Sequence, residues 1–143
     1  MWKLLSAGYW INKLRIIKKQ WLTRMKVLSL VKEVKNTLKM EIRPTSKGGK
    51  YLEAVITLQD LDVLNSLLRE HLGPATKVSG KEVYFPTTIQ ELVDSLGGLR
   101  IEQSFFYKQE GTQVIYAAIW PWQSDPNRIT FKSGVSEVVP KAG

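Results

Sequence analysis

Apolar residues recur at helical spacing through the first part of the chain. Trp10, Leu14, Ile17, Trp21, Met25 and Leu28 are separated by steps of four, three, four, four and three, which is the ridge of one helix face. Val31, Val34 and Leu38 extend the stripe with a slight drift, and no proline interrupts it. The spacing predicts one long helix over about residues 9–39.

The texture changes after Met40. Pro44 to Lys50, with Gly48-Gly49, reads as a turn. Tyr51–Thr57 alternates, so it reads as a strand with Leu52, Ala54 and Ile56 on one side. Thr57 and Asp60 make a capping pattern before a helix with Leu58, Leu61, Leu64, Leu68 and Leu72 inward, closed by Gly73-Pro74. Val83 and Phe85 suggest a short strand after the Ser79-Gly80 turn. Thr88 and Glu91 read as a capping box opening a second helix that Gly97-Gly98 stops.

Three further strands are expected: Leu99–Lys108, Gln113–Trp120 and Ile129–Val135. The first two are joined by a hairpin turn at Glu110-Gly111. The second is apolar throughout, as a central strand covered on both faces would be. Val138–Gly143 reads as a frayed end. The expected fold class is α+β: a mainly antiparallel sheet of four to five strands with two helices on one face, preceded by the long helix. Two segments are expected, a helical arm over 1–39 and a small α+β domain over 40–143.

Charge sharpens that division. The chain carries a net charge of +8 at neutral pH. Residues 1–40 hold eight lysines and two arginines against Glu33 alone, a net +9, so the remainder is close to neutral at −1. A basic, amphipathic helix bearing tryptophans is the composition that lies at a lipid interface or enters the groove of an acidic protein. Lys13, Arg15, Lys18, Lys19, Arg24 and Lys26 are the expected electrostatic contacts, with Trp10, Ile17 and Trp21 as anchors. Nucleic acid is the alternative partner, since phosphate neutralisation needs only lysine and arginine. Self-association through the stripe is a third use of it, and packing on the chain's own sheet a fourth.

The helix is too often interrupted by charge to span a membrane. No apolar core with a small-residue cleavage site follows Lys3, as a secretory signal requires. An organellar presequence shares the basic, acid-poor character, although serine is scarce here. The expected location is cytoplasmic, peripheral to a membrane.

Catalytic chemistry has little to work with. The chain has no cysteine and one histidine, His71, which excludes thiolate nucleophiles and cysteine-ligated zinc and leaves no histidine-based metal set. Asp60 and Asp62 stand two apart in a helix's first turn, so they point apart and suit the helix dipole better than a metal. Neither Gly48-Gly49 nor Gly97-Gly98 belongs to a phosphate-binding motif. No catalytic residue, metal or cofactor is expected. Trp120-Pro121-Trp122 remains, two indoles flanking a rigid proline, as the candidate floor of a ligand pocket or the cap of a core edge. The resulting expectation is a non-catalytic accessory or adaptor protein that docks through its basic helix on an acidic membrane surface or protein.

Overall fold

The structure, a computed structural model, describes residues 7–47 and 50–138, with side chains from residue 11. Good helix formers and the absence of proline let helix α1 run unbroken over Ala7–Thr37, about 46 Å at 1.5 Å per residue. After it come β1 (Glu41–Ile42), β2 (Tyr51–Thr57), a single 3₁₀ turn (Leu58–Asp60) and α2 (Leu61–Leu72). The chain continues with α3 (Thr87–Ser95), β3 (Ser104–Glu110), β4 (Gln113–Pro121) and β5 (Arg128–Glu137).

The five strands form one antiparallel sheet in the order β1-β2-β5-β4-β3. The expected meander is present, since β3 pairs with β4 (Tyr107 opposite Tyr116) and β4 with β5 (Ile119 opposite Phe131). β2 returns to the far side of β5, with Ala54 opposite Phe131. The fold is α+β, as the alternation of apolar runs implies.

The placement of the helices differs from expectation. β4 is buried from Gln113 to Ile119, and its successive side chains enter two separate cores. Ile115, Ala117 and Ile119 meet Leu52, Ala54, Ile56, Ile129 and Phe131 beneath α1 and α2. Val114, Tyr116 and Ala118 point the other way and meet Ile89, Leu92 and Val93 of α3. The two later helices therefore lie on opposite faces. A strand apolar on both sides needs cover on both, which α1 with α2 supplies on one face and α3 on the other.

The half of α1 that packs coincides with the expected stripe only in its last part, Val31, Val34 and Leu38, whereas the stripe's members from Leu14 to Leu28 stay exposed. Val27, Leu30, Val31, Val34 and Leu38 are buried against α2 and the sheet. His71 near the end of α2 pairs with Glu33, tying the two helices together. The division expected at 39/40 thus falls behind a helix half that belongs to the core.

Smaller differences have local causes. No strand forms around Val83–Phe85; instead Lys77 bridges to Phe105, whose N–H donates to the Lys77 carbonyl at 3.0 Å. β3 begins at Ser104 because Arg100–Gln103 is a turn, in which the Arg100 N–H donates to Gln103 Oε1 at 2.7 Å. α2 and α3 start without the expected side-chain caps, α3 directly after Pro86. Gly111, at φ 62°, makes the sharp turn between β3 and β4 that a side chain would resist. Of the expected frayed end, Val138 is buried and donates its N–H to the Thr112 carbonyl at 2.6 Å; residues 139–143 lie outside the described residues, as does the Gly48-Gly49 pair.

Candidate docking surface

Helix α1 carries two apolar faces. One begins at Thr23 and continues through Val27, Leu30, Val31, Val34 and Leu38 into the core. The other comprises Ile11, Leu14, Ile17, Trp21, Leu22, Met25 and Leu28, which fall within an arc of roughly 140° at about 100° per residue, on the side turned away from the sheet. These side chains are exposed, Leu14 to 60% and Trp21 to 58%. The outward stripe is therefore the first part of the one the spacing of the sequence picks out, and the domain leaves it unpacked while burying the extension at Val31, Val34 and Leu38.

The cations are arranged around that stripe. By helical geometry Lys13 and Arg24 flank one edge, Arg15, Lys19 and Lys26 the other, and Lys18 stands within it. Beyond Leu28 the outward side turns cationic with Lys32 and Lys35. Among the described residues, Arg15, Lys18, Lys19 and Arg24 make no ion pair. Lys26 is different: its ammonium is held by Glu110 at the end of β3, and Glu110 Oε2 also accepts the Thr23 hydroxyl at 3.0 Å. Lys26 thus anchors the helix to the sheet. Trp10 lies in the first turn of α1, and its side chain is outside those described.

Trp120 and Trp122 share one face at the end of β4, both half-buried. Each indole face is taken by a cation of this chain. Lys132 Nζ sits 3.8 Å from the Trp120 ring centre, and the Arg128 guanidinium 5.1 Å from that of Trp122. Trp122 Nε1 donates to Thr130 Oγ1 at 2.7 Å. Both indole faces are thus covered within this chain at the end of β4.

Chemistry elsewhere is sparse. Among the described residues no three His, Asp or Glu side chains come together as a metal site. Lys77 is buried and donates to the carbonyls of Gln103 at 2.6 Å and Ile101 at 3.1 Å, and burial holds its pKa below the ordinary lysine value. It staples the loop before β3 with its donors spent on backbone. Among the described residues, no helix is long and apolar enough to cross a membrane.

Comparison with protein-family models, curated proteins and solved structures gives no match to the chain.

A cleft of about 520 Å³ lies between α2 and the β3–β4 side of the sheet. Its floor is Phe106, Ile119 and Pro121, and Asp62 and Arg69 stand on its rim. A smaller cleft, about 300 Å³, lies where α1 passes the ends of β4 and β5. Leu28 of the outward stripe forms part of its wall. Nothing in the spacing of the sequence marks this second cleft, because its walls come from four separate elements.

Proposed function

We propose that this protein is a non-catalytic accessory protein that docks on an anionic membrane surface through the outward face of α1. The observation that carries the reading is the unpacked stripe from Ile11 to Leu28, on a helix whose opposite face is fixed in the core. A helix so held offers the stripe to a surface lying beneath the whole domain. Trp21 and the aliphatic side chains suit the boundary between headgroups and acyl chains, and the flanking cations suit anionic headgroups, at about 1 kcal/mol each near the surface.

Charge and the apolar stripe together separate this reading from self-association and from nucleic acid. The only carboxylate on α1 is Glu33, already engaged by His71. Two copies meeting stripe to stripe would bring Lys18 and its neighbours against their counterparts without compensation. A nucleic acid would satisfy the cations but leave Leu14, Ile17, Met25 and Leu28 in water.

The test is tryptophan emission of the full chain, and of Trp21→Phe, titrated with neutral and with anionic phospholipid vesicles. The expected result is a blue shift with anionic vesicles alone, smaller in Trp21→Phe, where Trp10 is the remaining anchor tryptophan of the helix. An unchanged spectrum together with no co-sedimentation would sink the reading.

A further inference from the structure

A diffuse basic surface holds a membrane without choosing its lipids. The cleft beside the stripe has the parts of something more selective. Arg24 reaches it from the flank of α1 and Lys50 from the turn just before β2. Neither cation has an ion pair among the described residues. Leu28 and Val135 supply an apolar wall continuous with the outward stripe.

The site is built and not merely surface charge. The Lys50 carbonyl accepts the Val135 N–H at 3.2 Å, and the Lys50 N–H donates to the Lys47 carbonyl at 3.0 Å, so the root of this side chain is pinned to the sheet. Glu137, the one acid in the wall, accepts the Thr112 hydroxyl at 2.6 Å. Gln113 is 7% exposed, lines the cleft, and its Oε1 has no hydrogen-bond partner. A buried primary amide ordinarily satisfies both ends. Here a half-turn about its last bond would exchange oxygen and nitrogen, so it can present either an acceptor or a donor to a guest.

We propose that the cleft binds the headgroup of an anionic phospholipid, with the phosphate between Arg24 and Lys50 and a headgroup hydroxyl on the Gln113 amide. This inference rests on the docking reading above and adds lipid selectivity to it. An acyl chain leaving the phosphate would run along Leu28 toward the stripe, keeping the lipid in its own leaflet.

Binding to phosphatidylglycerol vesicles is compared for the full-length protein, for Lys18→Gln/Lys19→Gln and for Arg24→Gln/Lys50→Gln. Both variants lose two charges, which diffuse attraction alone makes worth roughly thirtyfold at about fivefold per cation. The cleft adds at least about a further tenfold loss to the Arg24→Gln/Lys50→Gln pair, the size expected of a charged hydrogen bond removed. Equal losses would overturn the cleft and leave docking standing; no binding by the unmodified protein would overturn both. In a second measurement, the Gln113 side-chain amide resonances of the unmodified protein are followed against short-chain phosphatidylglycerol and against inorganic phosphate. Movement with the lipid alone supports the assignment. Equal movement with both would make this a site for free phosphate, and no movement would refute it.

Discussion

Glu110, the last residue of β3, accepts the Thr23 hydroxyl and the Lys26 ammonium at the point where α1 leaves the sheet. From residue 23 onward the helix has a buried face; from 11 to 19 every side chain is exposed. The carboxylate therefore marks the boundary between the half of α1 that builds the core and the half that projects.

The tether has a pH signature. The hydrogen bond from Lys26, with that from Thr23, holds the Glu110 carboxyl below its ordinary value of 4.5, against an opposing effect of burial. A depressed acid stabilises the fold above its unfolded pKa and loses that contribution as pH falls through the folded value. Glu110→Gln is thus expected to melt at a lower temperature than the unmodified protein at neutral pH. The gap should close below pH 4.5, measured by melts along a pH series. Hydrogen exchange should also quicken in the first half of α1. A gap that stays constant down to low pH would show the ion pair to be energetically idle.

The two faces of α1 should separate stability from binding. Leu30 is 1% exposed, so Leu30→Ala removes buried volume and is expected to cost about 2–5 kcal/mol by denaturant titration. Leu14→Ala, at an exposed position, should change stability by less than about 0.5 kcal/mol and still weaken binding to anionic vesicles. Residues 40–143 alone lack the side chains that cover the α2 face and should not melt cooperatively.

The contrast explains what periodicity could and could not reveal. Helical spacing is legible in α1, and both its stripes obey it. Trp10-Leu14-Ile17-Trp21 is the more conspicuous because it holds the large side chains, yet the core takes the smaller Val27, Val31 and Val34. Which stripe packs depends on a sheet contributed by residues far along the chain. The same holds for α3. Its own sequence shows an inward face, and the two-sided apolar character of β4 calls for cover on both faces, but which helix takes which face is decided by tertiary packing. The meander was readable because its turns are short and local. The cleft was not, since Arg24, Lys50, Gln113 and Val135 meet only through tertiary pairing.

Gly134 on β5 is a further long-range constraint. A Cβ there would lie 2.6 Å from the Lys50 carbonyl oxygen and 2.9 Å from the Tyr116 hydroxyl. The carbonyl cannot easily retreat, because it accepts the neighbouring Val135 N–H. Gly134→Ala is expected to cost roughly 1–3 kcal/mol, the usual range for overpacking, and to disturb the Lys50 end of the cleft. Chemical denaturation measures the first effect and phosphatidylglycerol binding the second. A stability unchanged by Gly134→Ala would mean that β2 and β5 separate more readily than their pairing indicates.

Alkaline titration offers a check on the α3 face. Burial pushes the Tyr116 hydroxyl from 10.0 up to about 12. Tyr51 is raised as well, by burial and by its hydrogen bond to Glu53 at 2.7 Å. For an acid whose folded pKa is raised, the unfolded chain ionises first. The stabilisation is complete below pH 10 and is lost as pH rises through the folded value. The protein should accordingly keep its melting temperature up to about pH 10 and lose it progressively toward pH 12, as the unfolded chain becomes the better anion. Near-ultraviolet absorbance should show two tyrosines ionising late, together with loss of the fold. In Tyr116→Phe the alkaline slope should be shallower, because one fewer raised group is linked to unfolding. An unaltered slope, with all tyrosines titrating near pH 10 in a folded chain, would show that α3 opens to admit water without the sheet coming apart.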